Sequence, residues 1–332
     1  MGAAPLPPEA VSEPGPSASV VSVIVESSSE EPLPVVKTRR EERLDVVHGV
    51  EVADPYRWLE NTEDPEVQDW VDAQNRLLAE SLERVSGRSE IRSRLEALLG
   101  IGQVSLPTVR RTASGTLRYF FTKRDGDQDQ PVLLVRDGVS GTDRTLVDPN
   151  AMNADKTTSL DWYAPSWDGA LVAYGTSEGG SEASTLRVRS SATGKDLSEV
   201  ITRARYSSVC WMPDGKRFFY ARFPAAGAVP AGEEKYHRKI YQHVIGSDPE
   251  TDPMVFGKGQ PMTDFPSCTI SPNGRWLVVR VHQGWSKSSL HLADTSKPRL
   301  EFVELTGGAE HLYDPTALDD GIYVRTNAGA AH

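Results

Sequence analysis

Cysteine is scarce in this chain. Cys210 and Cys268 are the only two among 332 residues, and they stand in no metal-ligand spacing. That excludes a zinc knuckle and a small disulfide-stapled fold. Both are expected to be buried free thiols in a reducing compartment, with a single disulfide as the alternative. Long apolar runs are missing too, and no stretch reaches the ~18 residues of a membrane span. The apolar segment Ala18 to Val25 has the texture of a signal-peptide core, but no Lys or Arg precedes it. Leu6 stands where myristoylation favours Ser or Thr. The reading is a cytoplasmic protein, with a periplasmic or exported one as the alternative. Positive charge is in deficit, with 36 basic against 47 acidic residues and a net charge of −11. Glu9, Glu13, Glu26, Glu30 and Glu31 all precede the first base, Lys37, so the remainder is only mildly acidic. Nothing resembles the basic patch that nucleic acid needs, and neither nucleic acid nor a membrane is expected as a partner.

Catalytic signatures are equally thin. There is no Gly-x-Ser-x-Gly nucleophile elbow. The nearest run, Gly284-Trp285-Ser286-Lys287-Ser288, has Ser in place of the second Gly and lies in strand-rich sequence. Ser-x-x-Lys, His-Glu-x-x-His, Cys-x-x-Cys, phosphate-binding loops and dinucleotide fingerprints are absent. The seven histidines are scattered, and His243, in a strand, is expected to be structural. No acid pair has a spacing that singles it out for general acid–base work. No catalytic residue, metal or cofactor is expected within these residues.

What the chain does contain falls into three stretches. Residues 1–34 hold seven prolines among Ala, Ser and Glu; such a segment cannot bury enough surface to offset its ordering entropy and is expected to be disordered. In residues 35–99, Asp64-Pro65 caps and opens a helix. Val67, Trp70, Val71, Leu77, Leu78, Leu82 and Val85 follow at helical spacing, Gly87 interrupts, and Ile91, Leu95, Leu98 and Leu99 form a second stripe. From residue 100 to 332 the texture changes to short β-rich runs such as Leu117–Thr122, Val132–Arg136, Arg217–Ala221 and Trp276–Val281. A polar-Gly turn before a strand recurs at Ser114-Gly115, Asp168-Gly169, Asp214-Gly215, Asn273-Gly274 and Asp320-Gly321, at intervals of 54, 46, 59 and 47 residues. Gly is suited to the positive φ of a tight hairpin. A period near 50 with several strands per period predicts a β-propeller; a sandwich with frequent hairpins is the alternative. The span provides between four and five blades, so the ring is expected to be incomplete, with the chain cut inside a repeat.

The run from His48 to Glu60, HGVEVADPYRWLE, resembles the N-terminal signature of the prolyl oligopeptidase family. Gln74-Asn75, Tyr163 to Gly169, Lys239 to Asp248, Gln283 to Ser286 and Thr326-Asn327 also fit that family's pattern. The resemblance implies an N-terminal helical segment, a seven-bladed propeller and a C-terminal α/β-hydrolase domain with a Ser-Asp-His triad. It implies serine-type hydrolysis of short peptides after proline. The triad is expected to lie outside these 332 residues, leaving the chain inactive alone and the hydrolase domain of the same protein as its partner. Substrate-pocket positions implied by matching the repeat turns are Tyr206, Phe265 and Trp285; packing between blades is the competing role for all three. Tyr56 and Trp58 are implied to pack on the hydrolase domain. A stand-alone propeller acting as a binding module is the rival function, and self-association of open propeller edges a third.

Overall fold

The computed structural model describes residues 35–330. The tail expected to be disordered, 1–34, lies outside the described residues. The chain divides into two compact units, residues 1–94 and 95–332, and each is described by itself. No helix among the described residues is long and apolar enough to cross a membrane.

In the first unit β1 (Leu44–Val47) pairs with β2 (Val50–Ala53) in register Val47↔Val50. The two-residue loop between them, His48 and Gly49, has φ of 50° and 80°, as a primed turn requires. The Arg57 guanidinium ion-pairs with Asp45 and Asp54, tying the hairpin to the single 3₁₀ turn that follows. Helix α1 (Pro65–Glu83) starts as expected: the Asp64 side chain accepts the Glu66 amide and Pro65 takes the first turn. Trp70 Nε1 donates to Thr38 Oγ1 at 2.9 Å, holding an extended segment. Helix α2 (Arg88–Leu99) follows Gly87. The apolar stripes of the two helices stay largely uncovered. Val67 is buried, while Leu78, Ile91, Leu95 and Leu99 are exposed.

The second unit is built from radial antiparallel sheets. After a short β3 (Gln103–Val104), blade 1 is β4 (Thr108–Arg111), β5 (Leu117–Arg124), β6 (Val132–Asp137) and β7 (Arg144–Val147). Blade 2 is β8 (Thr158–Pro165), β9 (Leu171–Glu178), β10 (Thr185–Ser190) and β11 (Asp196–Ile201). Blade 3 is β12 (Val209–Trp211), β13 (Arg217–Arg222), β14 (Lys239–Val244) and β15 (Met254–Phe256). Blade 4 is β16 (Phe265–Ile270), β17 (Trp276–Gln283), β18 (Lys287–Asp294) and β19 (Val303–Thr306), and a two-stranded sheet, β20 (Tyr313–Ala317) with β21 (Ile322–Thr326), begins a fifth. Four blades and part of another meet the expectation of four to five.

The polar-Gly turns join the first two strands of each blade. At Asp168-Gly169, Asp214-Gly215 and Asn273-Gly274 the glycine amide donates to the residue three before it, and only the glycine has positive φ. These are therefore type I turns closed by a left-handed glycine, not primed turns. Gly321 departs from the series and has no positive φ. Two of the glycines are also places of close approach. A Cβ at Gly169 would stand 3.2 Å from Arg110 of blade 1, and one at Gly274 would stand 2.5 Å from Pro213 of blade 3.

Both faces of middle strands such as β6, β13 and β17 are buried, which is why these three are written as nearly continuous apolar runs. In β13, Phe218 and Tyr220 enter the core shared with blade 2, while Phe219 and Ala221 enter the core shared with blade 4. Strand alternation thus feeds two interfaces from one sequence. Val172 and Tyr174 of β9 join the blade 1 core, and Ala173 joins that of blade 3. Two tryptophans clasp blades 2 and 3 reciprocally: Trp167 Nε1 donates to Trp211 O at 2.8 Å, and Trp211 Nε1 to Ala164 O at 2.9 Å. His243 is structural, as expected. It is wholly buried, its Nδ1 lies 3.0 Å from Asp252, and Tyr220 donates to the same carboxylate at 2.8 Å.

Candidate functional site

In every blade the first strand begins, the second ends and the third begins at the same end of the sheet. The pairs Phe265↔His282 and Gln283↔Lys287 fix this for blade 4, and Arg222↔Lys239 for blade 3. Tyr206, on the crossover from blade 2 to blade 3, and Phe265, at the start of β16, therefore lie at one end of the propeller. Their rings meet, with centroids 6.4 Å apart at 57°. Trp285 is at the same end, on the tip of the β17–β18 hairpin, but it is 99% exposed. The structure brings two of the three expected residues together and leaves the third projecting.

Sequence reasoning missed what surrounds the pair. Phe223, just after β13, packs on Phe265 at 6.3 Å. Arg238, just before β14, lays its guanidinium over the Phe265 ring at 3.9 Å and donates to the Tyr206 carbonyl. Arg205 stacks on Tyr206 at 4.8 Å, and Glu182 accepts from both the Tyr206 hydroxyl and Arg205. The Tyr206 hydroxyl, and secondarily Arg205, hold the Glu182 carboxyl below its usual range. Burial pushes the Arg238 guanidinium down to about 9. Only the expected Lys239 strand motif pointed near Arg238; its role depends on ring stacking, which leaves no spacing to detect.

The loops at this end are conformationally unusual. Six described non-glycine residues have positive φ, and five of them, Lys156, Glu182, Arg203, Tyr206 and His237, lie in these loops of blades 2 and 3. A tyrosine at φ 50° is sparsely populated and costs of the order of 1–3 kcal/mol, so the surrounding contacts must hold it. A cleft of about 310 Å³ opens beside the cluster, lined by Ala183, Arg203, Arg205, Phe223 and Pro224 among others. Its size suits a small ligand. Apolar walls with a few cationic donors can hold an apolar peptide segment and orient its carbonyl groups.

The run at Gly284 to Ser288 is the hairpin between β17 and β18, with Ser288 buried and accepting the Tyr313 amide at 2.8 Å. It is no strand-to-helix elbow. In the first unit Tyr56 and Trp58 carry arginines: Arg40 stacks on Tyr56 at 5.2 Å and Arg39 on Trp58 at 4.6 Å.

Residues 35–332 match the family model described as prolyl oligopeptidase, N-terminal beta-propeller domain. The chain belongs to the prolyl oligopeptidase family. A prolyl endopeptidase of Elizabethkingia meningoseptica is 28% identical over 297 residues, covering 89% of this chain and 41% of that protein. Prolyl oligopeptidase A of Galerina marginata is 28% identical over 330 residues, covering 88% of this chain and 44% of that one. Among solved structures, one from a study of two prolyl endopeptidases and their inter-domain dynamics superposes with a TM-score of 0.80 at 32% identity, over 90% of this chain and 43% of its own. Prolyl oligopeptidase B of Galerina marginata, bound to a 35mer hydrolysis and macrocyclization substrate, shares the fold with a TM-score of 0.75 at 23% identity. The chain spans less than half the length of these relatives and corresponds to the family's propeller. Membership in a peptidase family disfavours the stand-alone binding module.

Proposed function

We propose that this chain provides the gating propeller of a serine-type prolyl endopeptidase that cleaves short peptides after proline, working with an α/β-hydrolase domain of the same protein in the cytoplasm. Residues 35–99 form the N-terminal helical segment and 100–332 the propeller. The observation that carries the reading is the meeting of Tyr206 with Phe265 at one end of the blades, where Tyr206 and neighbouring loop residues are held at positive φ. Tyr206 and Phe265 form a wall against which the peptide lies, the projecting Trp285 adds a separate contact, and the reacting groups come from outside these 332 residues. The hydrolytic route is an acyl-enzyme one.

Binding of a fluorescein-labelled Gly-Pro peptide to the 332-residue chain, followed by anisotropy, tests this. Tyr206→Ala and Phe265→Ala each weaken binding about tenfold, the ~1.4 kcal/mol scale of one lost aromatic contact. Binding unchanged in both variants overturns the assignment. Turnover of a fluorogenic Gly-Pro substrate by the pure chain, blocked by a serine-directed inhibitor, would show that the chain carries its own catalytic machinery.

A further inference from the structure

The peptide-binding reading leaves the two cysteines unused. They sit on the innermost strands of neighbouring blades, Cys210 on β12 and Cys268 on β16, with Sγ atoms 3.1 Å apart. Both are free, and Cys268 is only half-buried where full burial was expected. The Cys210 thiol donates to Cys268. The Ser208 oxygen accepts the Cys268 amide at 2.9 Å and lies 3.5 Å from its Sγ, so its proton is free to point at that sulfur.

Arg238 supplies the missing charge logic. It is buried, makes no ion pair among the described residues, and leaves Nε and Nη1 without an acceptor. A buried cation without a counter-charge is costly, and the charge of Arg238 acts on the Cys268 sulfur, three residues along β16 from the Phe265 ring that it covers. Burial raises both thiols. At Cys268 the hydrogen bonds from Cys210 and Ser208 and the charge of Arg238 outweigh burial and leave the group lowered. At Cys210 burial dominates and the thiol is held well above its ordinary value. The pair is thus asymmetric, a half-buried nucleophile beside a buried protonated partner.

We propose that Cys210 and Cys268 form a reversible dithiol–disulfide site whose co-reactant is a low-molecular-weight disulfide of the glutathione type. The Cys268 thiolate attacks one sulfur of the small disulfide, whose S–S bond breaks and releases one thiolate. Cys210 passes its proton to that thiolate and attacks the Cys268 sulfur, expelling the second half. One cystine forms, two electrons pass from the protein to the small disulfide, and the products are one thiol and one thiolate, matching the charge Cys268 began with. Closure to the ~2.05 Å of an S–S bond requires roughly 1 Å of approach. The link joins blades that share no strand pairing, beside the Arg238–Phe265 contact. It does not depend on what the aromatic face binds.

The test is incubation of the native chain with oxidised glutathione, thiol blocking, and non-reducing peptide mapping. The expected product is the Cys210 peptide joined to the Cys268 peptide, lighter by two hydrogens, restored by dithiothreitol. A lasting glutathione adduct on Cys268, unmodified thiols, or disulfide-linked dimers of the chain would each overturn the proposal. Cys210→Ser traps the adduct on Cys268, and Cys268→Ser leaves Cys210 unreacted; the reverse pattern overturns the assignment of the attacker. In the Cys210→Ser background, Arg238→Met moves the midpoint of the alkylation-rate pH profile of Cys268 upward, with about a tenfold lower rate per unit below it. An unmoved midpoint removes Arg238 from the scheme. Thermal melts confirm that each variant is folded, and the wild-type mapping needs no variant.

Discussion

Gly175 on β9 is the position where one added methyl is most informative. It pairs with Trp162 across blade 2, next to the register shift in β8. Its φ is not in the left-handed region, so alanine is permitted by the backbone and only space opposes it. A Cβ there would stand 2.4 Å from Trp162 Cε2 and 2.5 Å from its Nε1. Ordinary carbon contacts lie at about 3.5–4.0 Å, so the indole must retreat by about 1 Å. Trp162 packs against the core between blades 2 and 3, and its Nε1 has no acceptor, so no hydrogen bond is lost as it moves; the cost is packing. Overpacking of this kind costs about 1–3 kcal/mol, while removing a glycine from a strand returns roughly 0.5–1 kcal/mol. The net is a loss of about 1 kcal/mol at the middle of these ranges, or a melt lower by roughly 2–4 °C for a unit of this size. Differential scanning calorimetry of Gly175→Ala, Trp162→Phe and the double variant measures it. The smaller ring makes room, so the double variant should lose less than the sum of the singles by about 1 kcal/mol. A Gly175→Ala chain that melts at or above the parent, or strict additivity in the double, would refute the argument that the indole keeps this position bare.

Asp264 is buried, its Oδ2 has no partner, and burial raises its pKa. A raised carboxyl costs stability above its folded pKa and recovers it as pH falls through that value, so Asp264→Asn should stabilise the chain at neutral pH by of the order of 1 kcal/mol. Urea titrations at pH 7 and in the acid range should show the advantage shrinking on acidification. Glu250 behaves oppositely: hydrogen bonds from Arg222 and then Arg203 lower it. Its contribution is present above the unfolded carboxylate pKa and is lost as pH falls through the folded one. Because Glu250 is exposed, Glu250→Gln should cost only about 1 kcal/mol at neutral pH, and a flat difference across the acid titration would contradict the ion-pair account. Trp285→Ser should leave the melt unchanged within about 0.5 kcal/mol and weaken labelled Gly-Pro peptide binding; a large drop in melting temperature would mean that the exposed indole is packed.

Much of this fold can be read in the sequence, and the division follows burial. The β-rich runs named from the sequence are all inner members of their sheets, β5, β6, β13 and β17. They pack on both faces and so spell nearly continuous apolar stretches. The inner strands escaped because they are short or polar: β12 is three residues, and β16 reads FPSCTI. The outer strands escaped because one face meets water, as in β11, DLSEVI. The hairpin of β1 and β2 is almost wholly exposed and has no core pattern to betray it. At the candidate site the aromatic pair was reached only through the family resemblance, with the repeat turns as anchors. Arg238, Arg205 and Glu182 were not, since their contacts span separate blades and exist only once the sheets are stacked.

Backbone hydrogen-bond ladders run within each sheet and stop at its borders. Neighbouring blades adhere through side chains and isolated reaches such as Trp167 to Trp211 O and Arg144 to Ser191 O. Mechanically the unit is a string of separately cohesive plates with glued seams. Pulled from its ends in an optical trap, it should yield seam by seam, each rupture releasing one plate's length of chain, with steps set by the 46 to 59 residues between turns.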